Sequence, residues 1–287
     1  MIPAAFEYAA PRSVSDAVSA LTEAGEDGKV LAGGQSLIPV LRLRLAYPST
    51  IVDVGRIDEM RGVRDDGDAI VIGAMTTHHD VLHDDLVRQH APVIAQATQT
   101  VADPQVRHRG TFGGALAHAD PAGDLGGVAL ALGCEFVAHG PSGERRIAAS
   151  DFFQDYLTTA LGADEVLTAV RVPKLGDGWN SHYEKFNRVA QAWSIVGVAA
   201  LVKRSDGSIA EARVGLTNMG STPLRAAAVE SALAGADASA DAVGAAAEHA
   251  AEGTHAPSDL SGAADYREHL ARVLTRRAVL AAAGIMP

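Results

Sequence analysis

The 287-residue sequence contains one cysteine, Cys134. Without a second thiol the chain forms no internal disulfide, and its own residues supply neither a Cys-rich zinc site nor an iron-sulfur cluster. The setting of that cysteine, ALGCEFVAHG, reads as a buried strand in which a thiol packs as a small apolar side chain. Basic charge is also short: 24 Lys and Arg stand against 35 Asp and Glu, a formal charge of -11. A general binder of phosphate backbones needs a basic face to release counterions, so nucleic acid is not an expected partner. Long apolar runs are missing too. Those near 128–138 and 193–202 are about half of what a spanning helix requires, which argues against an integral membrane protein. The opening MIPAAFEYAAPRS shows no charged leader followed by an apolar stretch, so a cytoplasmic location is expected. Among motifs, GxxxxGK[ST], GxGxxG with its downstream acid, and HExxH are all absent, and no Ser-His-Asp order or paired-carboxylate frame marks a hydrolytic centre.

What is present describes a folded protein of two domains or three small ones. The hydrophobic fraction is 47%, and 29 glycines and 12 prolines are too few for a disordered or fibrous chain. Apolar spacing predicts a helix over 13–24 with Ser13 as N-cap, strands over 29–32 and 50–54, and a helix or turn over 38–45. This βαβ-like opening fills residues 1–55. A second block, 56–176, begins with a hairpin (60–63 and 69–74), continues through helices near 77, 91–100 and 124–132, and ends on strands over 135–138 and 164–172. Its stretch VADPQVRHRGTFGGAL reads as a loop. The third block, 177–287, offers three strands followed by an Ala-rich helical remainder. Segregated strands and helices indicate an α+β fold, a sheet backed by helices in the last block.

Two stretches carry the functional signal. LAGGQSLIPVLRLRL (31–45) and RGTFGGAL (109–116) each place a Gly-Gly pair after a short apolar run and beside a hydroxyl, Ser36 or Thr111. Successive free amides in such a turn form an anion-binding nest, and two nests could hold the two phosphates of one dinucleotide. Two ordinary tight turns are the plainer alternative. Downstream, HADPAGDL places Asp124 at a helix start, where its carboxylate serves a ribose hydroxyl or only the helix dipole. In THHDVLHDD, His79 and His83 stand four apart, but three or four ligands are needed for zinc, and an exposed first helical turn is the better reading. Arg107 to Arg109, RHR, is an anion contact or a surface ion-pair strip. In EKFNRVAQAWSIVG, Lys185 could meet a phosphate or ring edge, and Trp193 could stack on a ring or pack in a core.

AGGQS, TFGGA and the preceding VADPQVRHRG, together with MIPAAFEY, VIGAMTTHH and VGLTNMGSTPL, resemble the medium, FAD-binding subunits of the molybdenum hydroxylases, of the carbon monoxide dehydrogenase type. The likeness spans essentially the whole chain. It implies an FAD-binding region in two subdomains, similar to vanillyl-alcohol oxidase, and a C-terminal α+β domain. By matching position it implies FAD contacts from Leu31, Ala32, Gly33, Gly34, Gln35, Ser36 and Leu37 in the first turn and from Thr111, Gly113, Gly114 and Ala115 in the second. Asp124 then falls on the ribose or adenine side, and Lys185 and Trp193 near the isoalloxazine. Relatives often read TIGGN where this chain has TFGGA, so Ala115 lacks an amide that could bond the cofactor. The resemblance further implies a large subunit with the molybdenum cofactor, a small subunit with two iron-sulfur clusters and a dimer of heterotrimers. It also implies an acceptor such as a quinone, reached in the cytoplasm or at the inner face of the membrane through the complex.

Overall fold

The computed structural model describes residues 2–286. Ser13 accepts a hydrogen bond from the Asp16 amide and starts the helix Val14–Ala24, whose Ala17, Val18 and Leu21 are buried at helical spacing. That helix links the strands Glu7–Ala9 and Gly28–Leu31. Both pair in parallel with Thr50–Asp53, so the order is first, third, second. Parallel strands need such a crossover because a tight turn cannot join them.

The second sheet is antiparallel, with five strands in the order Val63–Asp65, Ala69–Gly73, Val166–Pro173, Glu135–Gly140 and Gly143–Ala148. Helix Val14–Ala24 and these strands share one apolar core that includes Leu21, Val52, Ile72, Phe136 and Val170. Cys134 is buried there, and burial raises its thiol to about 12, as an inert structural cysteine requires.

Antiparallel strands Trp179–Phe186, Val196–Ser205, Ser208–Thr217 and Leu224–Arg225 form the third sheet. Its strand Val196–Ser205 is apolar on both faces for a reason. Ala199 and Leu201 enter the first core, while Val198, Ala200 and Val202 enter a second core with Leu274 and Ala278 of the helix Ala264–Ala283. A strand buried on both sides reads as a continuous apolar run. On the first-core side lies helix Asp124–Leu132. A Cβ added to Gly215 would stand 2.0 Å from the Gly127 carbonyl oxygen, so these glycines permit the close approach of helix and strand.

The stretch expected as one loop between 101 and 116 instead contains two short helices, Pro104–Arg107 and Phe112–His118. Asp103 caps the first through the Val106 amide, and Thr111 caps the second through the Gly114 amide. Glycines discourage helix in an isolated reading, but a side-chain cap and tertiary backbone bonds override that preference here.

Candidate functional site

The first glycine loop connects strand Gly28–Leu31 to helix Leu37–Arg42. Gly34 has a φ of 76°, which a side chain rarely adopts. Among the described residues, the amides of Gly33, Gly34, Gln35, Ser36 and Leu37 have no backbone or side-chain acceptor. Ser36 precedes the helix without capping it, so its hydroxyl is free as well. Five successive free amides with the Ser36 hydroxyl among them make a donor set suited to an anion.

The second glycine pair is built differently. Gly113 and Gly114 lie in the first turn of helix Phe112–His118, and the neighbouring segment Ala74–His78 serves as its template. Phe112 donates to the Thr76 carbonyl, Gly113 to that of Ala74, and the Gly110 carbonyl accepts from His78. Ala115 donates to Thr111 in the ordinary helical manner. With the amides from Phe112 to Ala115 thus engaged, only the first loop has the free donors of a nest, and the expectation of two nests is corrected to one. The glycines of the second loop are spacers. A Cβ on Gly113 would lie 2.4 Å from Ala74 Cβ, and one on Gly114 would lie 3.2 Å from Ala32 Cβ. Reciprocally, a Cβ on Gly33 would lie 2.3 Å from the Arg109 carbonyl oxygen and 2.7 Å from Gly110 Cα. The two loops, about eighty residues apart in the chain, therefore interlock and line one place.

Asp124, Lys185 and Trp193 gather at a second place. The Asp124 carboxylate accepts from Lys185 Nζ (2.9 Å), Tyr183 Oη (2.9 Å) and Ser194 Oγ (2.7 Å). The Asp124 and Lys185 side chains are each only 4% exposed, so this is a buried ion pair, and its desolvation is offset by added hydrogen bonds. Burial and the Asp124 charge push the Tyr183 phenol well above its ordinary value, which keeps it a donor. Lys185 also donates to the Thr100 carbonyl, which leaves one ammonium proton for another acceptor. The resemblance implied a ribose or adenine-side contact for Asp124 and a place near the isoalloxazine for Lys185. Their direct bond places them together, a pairing invisible in sequence because 61 residues separate them.

Ser194 holds the loop that carries Trp193, and the Asn218 side chain donates to the Ser194 carbonyl (2.7 Å). Fully buried Arg267 donates to the Ile195 carbonyl (2.6 Å). On this fixed loop Trp193 is 52% exposed, so it is not a core residue. It lies on the wall of a cavity of about 630 Å³ that Asp120, Tyr156, Arg188, Asn218 and His255 also line. The cavity opens beyond the far end of helix Phe112–His118, a seven-residue helix about 10 Å long. Amide loop and aromatic-walled cavity thus lie at the two ends of one short helix.

The histidines next to the glycine loops have structural roles. His79 stacks on His108 with ring centroids 3.9 Å apart, and His83 Nδ1 bonds to the His79 carbonyl (2.7 Å). Among the described residues no cluster is arranged to hold a metal. His78 is 3% exposed, lies against Gly110, and has an Nδ1 with no partner among the described residues. Burial, with the Arg107 charge, lowers its imidazole to about 4. Between pH 6.5 and 4 the unfolded chain takes up a proton that the folded chain refuses. Stability therefore falls as pH drops through that window, by about 3 kcal/mol at its lower end. In urea titrations the wild type is expected to lose about 2 kcal/mol more than His78→Gln between pH 7.5 and 5. Equal losses would show that this imidazole is hydrated.

Arg107 is tied to the Val101 and Ala102 carbonyls, whereas the Arg109 side chain is exposed, so RHR is not one functional unit. Sequence reading missed Tyr183, Ser194 and the Ala74–His78 template. The Thr77-to-Asp80 spacing in TTHHD, a cap signal realised by the Thr77 side chain accepting from the Asp80 amide, was the one clue to the template.

Known proteins resemble this chain over nearly its whole length. Residues 4–175 match the family described as the FAD binding domain in molybdopterin dehydrogenase, and residues 181–282 match the CO dehydrogenase flavoprotein C-terminal domain. The chain is 40% identical to a carbon monoxide dehydrogenase medium chain of Hydrogenophaga pseudoflava, with 98% of each covered. It is 36% identical to a nicotine 6-hydroxylase medium subunit of Paenarthrobacter nicotinovorans, with 97% of each covered. A solved carbon monoxide dehydrogenase structure from H. pseudoflava superposes with a TM-score of 0.96 at 42% identity, covering 99% of both chains. The interlocked glycine loops thus belong to a flavoprotein component of an oxidoreductase, and the chain is a member of the FAD-binding medium-chain family of the molybdenum hydroxylases, homologous to carbon monoxide dehydrogenase medium chains.

Proposed function

We propose that this chain carries FAD as the electron-transfer subunit of an aerobic carbon monoxide dehydrogenase. It would take electrons from iron-sulfur clusters on a small partner subunit and pass them to an external acceptor such as a quinone. The carrying observation is the run of five free amides, Gly33 to Leu37, held against the second glycine loop. That donor set fits a pyrophosphate, and the Trp193-walled cavity fits a flat aromatic ring. The residues that would hold the cofactor are 31–37, Thr111, Gly113, Gly114 and Ala115 around the phosphates, with Asp124, Lys185 and Trp193 toward the ring. Segments 1–55 and 56–176 would provide the two halves of the FAD region and 177–287 the C-terminal domain.

Bound FAD would supply two-electron storage with one-electron exchange. The protein's own contribution is placement. The amide loop would fix the anionic middle of the cofactor, and the third Lys185 proton is available to a ring or ribityl oxygen. Trp193, on a loop pinned by Ser194 and Asn218, would cover one ring face. Oxidation of substrate would occur at molybdenum on a large partner, in a dimer of heterotrimers located in the cytoplasm or at the inner membrane face. The chain is also 36% identical to the medium subunit of a nicotine 6-hydroxylase over nearly its whole length, so likeness of the medium chain does not by itself single out carbon monoxide. A purine, aldehyde or N-heterocycle is therefore the alternative to carbon monoxide.

The test is purification with the co-expressed neighbouring chains, identification of released FAD by mass, and exposure to carbon monoxide. Flavin bands that bleach under the gas are the expected result. Bands that bleach only with an organic substrate would replace the substrate, and a folded chain without flavin despite supplied FAD would remove the cofactor role.

A further inference from the structure

The segment LIPVLRLRLAY, 37–47, is apolar at every position except Arg42 and Arg44. In a water-facing helix such a composition is unusual, and yet helix Leu37–Arg42 buries only Leu41. Leu43 is 58%, Leu45 72% and Tyr47 68% exposed, and Ile2 lies alongside, its carbonyl accepting from Arg44 Nε (3.3 Å). Ile38, Leu43, Leu45 and Tyr47 are thus exposed within ten consecutive residues, and the Arg44–Ile2 bond brings the exposed Ile2 to the same segment, so the exposure is concentrated here. The patch is also held in shape. Leu45 donates to the Val40 carbonyl and Arg44 to that of Leu41, the paired bonds of a Schellman helix ending. Arg44 takes the left-handed position there, φ 57°, where glycine is the usual choice.

Charge narrows the occupant. No acidic residue occurs between Asp27 and Asp53, and neither Arg42 nor Arg44 has a carboxylate partner among the described residues, in a chain of formal charge -11. A second copy meeting this patch about a twofold axis would bring arginines onto arginines. A lipid surface is poorly matched. The helix has six residues, two arginines contribute about 1 kcal/mol each near an anionic membrane, and the remaining charge is repelled.

We infer that the patch formed by 37–47 and Ile2 is the docking face for a non-identical protein subunit, one presenting apolar side chains edged by carboxylates. The inference rests on the reading of this chain as one subunit of a complex. The face begins where the amide loop ends: the Ile38 amide donates to the Gly34 carbonyl, and Ile38 Cδ1 fills the space beside Gly34. Docking there would clamp the helix that closes the cofactor loop.

The test uses the full chain, loaded with FAD, and the separately purified assembly of its large and small neighbouring chains. Sedimentation velocity would compare wild type with Leu43→Glu/Leu45→Glu, both sites being exposed and outside the cofactor loop. A loss of at least 100-fold in affinity, with unchanged circular dichroism and retained flavin, is expected, and Arg42→Glu/Arg44→Glu should weaken binding and reduce its salt dependence. Equal binding by the Leu43→Glu/Leu45→Glu variant would overturn the inference and leave the subunit reading standing. Wild type that forms no complex with those chains would overturn both. A wild-type homodimer that these substitutions dissolve, or flotation with anionic phosphatidylserine vesicles that they abolish, would assign the patch to another occupant.

Discussion

Gly33→Ala is expected to lower FAD affinity by about 10²- to 10⁴-fold. The new methyl carbon would fall 2.3 Å from the Arg109 carbonyl oxygen and 2.7 Å from Gly110 Cα, backbone atoms that cannot rotate out of the way. One loop must retreat, and overpacking of this kind alone costs about 1–3 kcal/mol. The larger effect is on the amides. Hydrogen bonds to a charged group contribute about 1.5–3 kcal/mol each, so losing alignment of two of them accounts for the stated range. Gly114→Ala is a graded comparison, since its added carbon meets Ala32 Cβ at 3.2 Å and the Thr111 hydroxyl at 2.6 Å. The measurement is flavin fluorescence titration of each purified variant, with circular dichroism to show that it is folded. Binding by Gly33→Ala within threefold of wild type would mean that the loops do not need their close contact to hold the cofactor.

Asp124→Ala is expected to destabilise the fold by about 3–5 kcal/mol, because it strands the Lys185 ammonium in a buried site and removes the acceptor of Tyr183 and Ser194. In a chain of this size that corresponds to a drop in Tm of about 10 °C. Removing both charges, as Asp124→Ala/Lys185→Met, should restore part of the loss, since an uncompensated buried charge is costlier than an apolar replacement of the pair. Thermal unfolding of the two variants beside wild type decides the matter. A single substitution that costs less than about 1 kcal/mol would show the pair to be hydrated in solution.

These two outcomes bear on different kinds of information. Much of the backbone could be read from the sequence because its causes are local. Ser13 and the spacing of Ala17, Val18 and Leu21 announce the first helix, and the run from Ile195 to Val202 announces a strand buried on both sides. The two glycine pairs are equally visible, as local motifs that also carry the family resemblance. That Gly113 and Gly114 lie inside a helix was not visible, because the bonds that overrule glycine's poor helix propensity come from Ala74 and Thr76, almost forty residues earlier.

The sequence by itself determined most of the element types outside the 101–116 stretch, the single cysteine without a disulfide partner, the excess of acidic over basic charge and the glycine motifs. Only the tertiary structure decided that one glycine loop offers free amides while the other acts as a spacer, that Asp124 and Lys185 are partners, and that Trp193 borders a cavity. The division has a physical cause. Propensity, capping and periodicity act between residues a few positions apart, whereas free amides, ion pairs and exposed rings are defined by which distant atoms arrive beside them.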